Sequence, residues 1–172
     1  MTTPVPDETI LGILAAAPQH GYQIIQHFTD QNALGRIWTM STSQVYAVLK
    51  RLETQAAITG SQTPSPEGPP KKEYALTKIG RSQLDNWLYA SSPSTSIRRI
   101  RVEFLSKLYI TSLLSLPTDE IIAAQILSCQ NQQEILTKKR RETDSEIEAL
   151  ALDFILGQLD AALKWLDQLK AT

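Results

Sequence analysis

Ser43, Tyr46 and Lys50 stand three and then four positions apart, the spacing that places side chains on one face of a helix. A small hydroxyl, a phenol and an ammonium group so arranged can hydrogen-bond base edges and phosphate oxygens, and a helix is the element that fits a major groove. Arg51 follows on or near the same side. Ser41 and Gln44 open the helix as a capping-box pair: the hydroxyl accepts from the first turn and the amide reaches back. Further on, Lys71 and Lys72 come directly after Gly68-Pro69-Pro70, at what reads as a hairpin tip. Two cations on a projecting turn suit phosphates, which contribute affinity without carrying sequence information. Ser41, Ser43, Gln44, Tyr46, Lys50, Arg51, Lys71 and Lys72 form the expected DNA-facing set. Each has a plainer reading beside it. Tyr46 could pack on a neighbouring helix, Lys50 or Arg51 could pair with Glu53 or Glu73, and the two wing lysines could be solvated turn residues.

Other chemistry finds little material. The chain has two histidines, seven glycines and one cysteine among 172 residues. It shows no nucleophile elbow, no phosphate-cradling glycine loop and no metal-binding His/Glu signature, so we expect no enzyme and no cofactor. His20 and His27 lie seven apart without companion ligands, and no metal is expected. Cys129 falls on an apolar helical face and reads as a core thiol. The basic run 138–141 sits near a helix end, where positive charge is favourable, with acidic residues close behind, so a solvated face is expected. Arg98, Arg99 and Arg101 are expected in salt bridges. Net charge is −1, so any DNA-binding surface must be a local patch. No apolar run approaches a membrane span, the first residues lack a secretory pattern and a lone cysteine suits a reducing compartment, so a cytoplasmic protein is expected.

The elements that would position these residues are mostly helical. Pro4 and Pro6 are expected to stop order ahead of Asp7-Glu8, after which Ile10, Leu11, Ile13 and Leu14 make an apolar stripe that ends before Pro18. A second helix starts near His20-Gly21, with Tyr22, Ile25 and Phe28 at helical spacing. Val45, Val48, Leu49 and Leu52 give the groove-facing helix its buried side. Residues 56–63 read as a weak strand, 64–70 as a Pro-rich loop, and Tyr74 and Leu76 alternate with polar residues as in a half-buried return strand. Thr77 caps a further helix whose core face is Leu84, Trp87 and Leu88.

Beyond a small-residue linker at 91–96 the chain turns wholly helical. Residues 98–114 form one helix ended by Pro117. A second begins at Thr118, with Ile122, Ile126, Cys129 and Leu136 on one face. From about Asp144 the last helix carries two apolar stripes, Ile147–Ala151–Phe154–Ala161–Trp165–Leu169 and Leu152–Ile155–Leu159–Leu163–Leu166. A helix apolar on two sides needs two partners, and a second copy of the chain is the simplest second one. Ile147, Phe154, Ile155, Leu159, Leu163, Trp165 and Leu166 are the expected dimerisation residues.

Several stretches resemble the PadR family of transcriptional regulators. ILGILAAAPQHGYQI matches a leucine-rich first helix followed by Gly-Tyr, and STSQVYAVLKRLE is similar to the family's recognition helix, a Tyr followed by Leu-Lys-Arg-Leu-Glu. GPPKKEYALTKIGRSQL resembles the second wing strand and the next helix. RRIRVEFLSKLYI and ALKWLDQL resemble the C-terminal helical dimerisation domain of the longer, virulence-activator-like branch. One departure stands out: where relatives usually have Glu-Gly-Leu-Ile after the recognition helix, this chain has Gln55-Ala56-Ala57-Ile58, and without the glycine a differently built helix end is expected.

Residues and resemblance together give a mainly α protein: a winged helix-turn-helix DNA-binding domain at 1–90, followed by a C-terminal α-helical dimerisation domain at 97–172. The expected function is that of a homodimeric regulator, a repressor, on a near-palindromic operator. Some relatives stack flat aromatic effectors on tryptophan between subunits, which draws attention to Trp165, Phe154 and Trp38, although packing roles are the plainer reading of all three. The rival readings are a winged-helix adaptor that binds protein instead of DNA, and a small-molecule carrier built on the helical domain.

Overall fold

The computed structural model describes residues 5–64 and 71–169. The expected loop at 64–70 therefore lies outside the described residues, apart from its first proline. Helix α1 (Val5–Ala16) starts one residue ahead of Pro6, contrary to the expectation that proline would delay it. A proline in the first turn loses no helical hydrogen bond, because the first N–H groups have no partner in any helix.

A short strand β1 (Gln19–His20) leads into α2 (Gly21–Thr29), and a single 3-10 turn at Leu34–Arg36 precedes α3 (Thr42–Thr54). Strands β2 (Ile58–Thr63) and β3 (Lys71–Leu76) form an antiparallel hairpin, with Gly60 opposite Tyr74 and Gln62 opposite Lys72. β1 adds to the other edge of β3, giving the order β1-β3-β2. α4 (Lys78–Leu88) follows, its first turn capped by the Thr77 hydroxyl, which accepts from the Gly80 N–H at 3.2 Å.

The remaining helices are α5 (Ile97–Arg99), α6 (Leu105–Leu113), α7 (Asp119–Glu142) and α8 (Glu146–Leu169). α5 and α6 belong to one helical run, as expected from the sequence, but a π-helical turn at Ile100–Phe104 interrupts it.

Two compact units result: residues 1–89 with 105–116, and residues 90–104 with 117–172. This differs from the expected division, in which all of 97–172 formed the C-terminal domain. Helix α6 belongs to the first unit because it packs on α1: a side chain at Gly12 would meet Ile110 at 2.6 Å. The core of the first unit is Ile10, Leu11, Ile13, Leu14, Ile24, Phe28, Val45, Leu49, Leu52, Leu84, Leu88 and Ile110, all buried. On α2 the buried pair is Ile24 and Phe28. Tyr22, expected on that core face, is 47% exposed.

In the second unit α7 and α8 pack along each other, burying Ile122, Ile126 and Cys129 from one and Leu152, Leu159, Leu163 and Leu166 from the other. Burial holds the Cys129 thiol above its ordinary range, against a hydrogen bond from Gln125 that lowers it, as suits an unreactive core thiol.

Candidate nucleic-acid interface

α3 owes its position to both of its ends. At the start, the Ser41 hydroxyl accepts from the Gln44 N–H at 3.3 Å and the Gln44 side-chain oxygen accepts from the Ser41 N–H at 2.8 Å. That capping box uses the Ser41 hydroxyl and the Gln44 side-chain oxygen on the local backbone, so the expected role of these atoms at DNA competes with a structural one.

At the other end, Ala57 N–H donates to Leu52 C=O and Ala56 N–H to Glu53 C=O, the pair of bonds of a Schellman motif. Ala56 occupies the left-handed position of that motif, with φ at 56°. Ala56 thus adopts a turn that glycine takes without strain, and the Schellman end forms without a glycine.

Val45, Val48, Leu49 and Leu52 hold α3 on the domain, while Ser43, Tyr46 and Lys50 are exposed. Tyr46 is 45% exposed, and its ring lies against Gly21 at the first turn of α2; a Cβ on Gly21 would stand 2.7 Å from the ring and 2.8 Å from the hydroxyl oxygen. The two readings of Tyr46 thus coexist: one side of the ring packs on a neighbouring helix and the rest is open. Only glycine permits this approach.

Tyr22 was the residue missed by sequence reasoning. Its ring stacks on His20 at 5.7 Å and carries the Lys71 ammonium 5.2 Å from its centroid. Helical spacing placed it on the core, yet Ile24 and Phe28, four apart, already complete that face. The available signal was the adjacent Gly21, whose lack of a side chain brings α2 and α3 together.

The basic residues divide into two groups. Lys50 and Lys71 are exposed. Arg51 is not available in the same way: its guanidinium makes a bidentate pair with the Asp7 carboxylate, which is almost fully buried. That hydrogen bond, first among its causes, holds the Arg51 group above its ordinary range. Arg51 therefore ties α3 to α1 while its side chain stays 41% exposed, so it is less free than Lys50 to meet a ligand. The carboxylate is also not one of the partners considered from sequence.

Lys72 is paired too, in a half-exposed contact with Nζ 2.7 Å from Glu53 Oε2, and this hydrogen bond raises its ammonium above the ordinary lysine range. Pairing with Glu53 was foreseen for Lys50 or Arg51, not for a wing lysine.

Several of the other basic groups are ion-paired. Lys138 pairs with Glu142, Lys139 with Glu148 and Arg140 with Asp153, and Arg99 pairs with Glu103. His27 donates to or accepts from the Tyr109 hydroxyl at 2.6 Å, and Trp38 donates to Ser106 Oγ at 2.9 Å. Among the described residues there is no cluster of three or more metal-ligating side chains, and no helix is long and apolar enough to cross a membrane.

The expected dimer residues separate in the same manner. Leu159, Leu163 and Leu166 are buried within the unit against its other helices, and the Trp165 ring meets Phe104 edge-on at 5.8 Å. Leu159, Leu163 and Leu166 are thus corrected from interface to internal packing, while Trp165 is half-buried. Ile147, Phe154 and Ile155 are 76%, 67% and 41% exposed, and Leu150, not foreseen, joins them at 60%. Ile155 thus leaves the buried stripe to which its spacing assigned it.

Residues 10–86 match the family described as "Transcriptional regulator PadR-like family". The negative transcriptional regulator PadR of Bacillus subtilis is 35% identical over 106 residues, 62% of this chain and 56% of that protein. A probable transcriptional regulator of Mycobacterium tuberculosis is 28% identical over 79 residues, 46% of this chain and 41% of that protein. These matches span about half the length of the curated relatives. Among solved structures, Bacillus subtilis PadR in complex with operator DNA is similar at a TM-score of 0.51 and 26% identity, covering 99% of this chain and 98% of that one.

Proposed function

We infer that this chain, which belongs to the PadR-like family of transcriptional regulators through residues 10–86, is a sequence-specific DNA-binding repressor that works as a homodimer without enzymatic activity. One observation carries this reading. Gly21 lets the exposed Tyr46 of α3 lie against the first turn of α2, next to exposed Tyr22, whose ring in turn carries Lys71 of the wing strand. Helix, helix and wing thus share one aromatic and basic face. Such a face offers donors for phosphates and flat rings for sugar and base edges. Ser43, Tyr46, Lys50 and Lys71 are its expected contacts, and Tyr22 joins them. The match to a relative solved on operator DNA supports the same assignment.

For the assembly, the exposed stripe Ile147–Leu150–Phe154 on α8 is the surface a second copy would cover. A two-fold dimer then presents two α3 helices to successive major grooves about 34 Å apart on a near-palindromic operator, where it excludes polymerase. An effector would act by shifting the population between dimer forms that differ in this spacing, which requires different affinities for the two. If that effector is a small aromatic molecule, Phe154 is the ring it would stack on, since Trp165 is engaged with Phe104. The reading places the protein in the cytoplasm, with DNA.

Titrating a fluorescent DNA duplex at two salt concentrations tests the DNA assignment. Affinity that falls steeply with salt supports it. Absence of binding at low salt favours the protein adaptor, a role compatible with a net charge of −1 and with two of the basic residues held by carboxylates.

A further inference from the structure

Lys72 is the wing lysine whose ammonium turns towards α3, and its path is built for it. Glu53, on the last turn of α3, receives that ammonium at 2.7 Å, while the same nitrogen stands 5.4 Å from the ring centroid of buried Tyr74. Gly60 and Gln62 share one face of β2, and Lys72 and Tyr74 share the corresponding face of β3, since Gly60 is opposite Tyr74 and Gln62 opposite Lys72. The lysine stem therefore runs diagonally across β2, over Gly60. A Cβ at Gly60 would overlap Lys72 Cε and stand 2.8 Å from Glu53 Oε1. No glycine among the described residues has a positive φ, so Gly60 is not required by its backbone conformation. What the site uses is the missing side chain.

We propose that Glu53, Gly60 and Lys72 form a strut that fixes the wing hairpin against the recognition helix, with Lys72 as a positioning residue and not a phosphate contact. The hairpin is joined to α3 through a short turn, and two-stranded ribbons twist readily. Besides the turn from α3 and the β1 pairing at Glu73 and Tyr74, the strut ties the second residue of β3 to the last turn of α3. Lys71, the residue before Lys72, then reaches Tyr22 and the DNA-facing side. Adjacent strand residues point to opposite faces, so one lysine can brace while its neighbour binds. The functional consequence rests on the proposed DNA binding; the strut itself does not.

Two measurements test it. The first is binding of the full-length protein to a fluorescent mixed-sequence duplex between about 50 and 200 mM salt. Lys71→Ala should lower the log–log salt slope by about one unit per wing. Glu53→Gln, Lys72→Ala and Gly60→Ala should each weaken binding by similar factors, with the slope unchanged. Gly60→Ala is informative because it removes no charge and only displaces flexible side-chain ends. Tighter binding and a steeper slope in Glu53→Gln would overturn the proposal, since Glu53 would then merely restrain a phosphate-binding lysine. A lowered slope in Lys72→Ala would do the same.

The second measurement needs no DNA: amide hydrogen exchange along β2 and β3. The same three substitutions should speed exchange there, and Gly60→Ala should add nothing in a Lys72→Ala background. Additive effects would overturn the strut. If the parent protein binds no duplex at any salt, the DNA reading fails by itself, and exchange still decides the strut.

Discussion

α3 and α8 are both amphipathic helices with a leucine-rich buried side, but their outward faces differ in kind. α3 turns Ser43, Tyr46 and Lys50 to solvent, whereas α8 turns out Ile147, Leu150 and Phe154. A polar, aromatic and basic face is stable in water and gains by meeting a polyanion. An apolar face of that size is costly in water and gains by meeting another protein surface. The same difference appears in what restrains each helix. Capping, the Asp7–Arg51 pair and the Schellman turn fix α3 at both ends. α8 is held by leucines against its own unit and, on the other side, is open to a partner.

The contrast is tested most strongly on α8 itself. Leu159→Ala, at a fully buried position, should destabilise the protein by about 2–5 kcal/mol, while Phe154→Ala, on the same helix and mostly exposed, should cost the isolated unit under about 0.5 kcal/mol. Phe154→Glu should instead convert dimer to monomer in sedimentation, with melting that no longer depends on protein concentration. A Phe154→Glu protein that stays dimeric would remove α8 from the interface.

On α3 the corresponding test is Tyr46→Phe, which removes a hydroxyl and little volume. Operator affinity should fall by about 1–1.5 kcal/mol per hydrogen bond lost, so about twice that for a symmetric dimer, with melting unchanged. A lowered melting point with full affinity would make Tyr46 a packing residue only.

Smaller effects probe how α3 is held. Ala56→Gly should raise stability by about 0.5–1 kcal/mol, because alanine pays for a left-handed conformation that glycine adopts freely, less the extra chain entropy of glycine. Unchanged or lower stability would mean that the turn is not strained.

The smallest effect concerns His27 on α2. Burial, partly opposed by Asp30, keeps its imidazole below the ordinary histidine range. The unfolded chain therefore takes up the proton first as pH falls. This contribution to stability is complete above the ordinary value of 6.5 and is lost as pH falls below it and through the lowered folded-state value. His27→Gln, which keeps a partner for Tyr109, should flatten that part of the stability–pH curve, and urea melts at neighbouring pH values will show whether it does.

Much of this was legible in the residues. The capping pair Ser41–Gln44, the leucine face of α3, the Thr77 cap and the burial of Cys129 depend on local spacing, and local spacing survives folding unaltered. So does the presence of two apolar stripes on α8. Tertiary structure decided which stripe was taken: Leu152, Leu159, Leu163 and Leu166 face the rest of their unit, and Ile155 goes with the open side, because adjacent helices cover an arc that periodicity cannot fix. It also decided the fate of the cations. Nothing in the spacing announces that Asp7 will reach Arg51 or that Lys72 will cross Gly60 to Glu53. Charge pairs of this kind join segments far apart in sequence, and only the packing of α1, α3 and the wing brings the partners within hydrogen-bonding distance. The exposure of Tyr22 has the same origin, since a helix supplies a face to the core only as wide as its neighbours can cover.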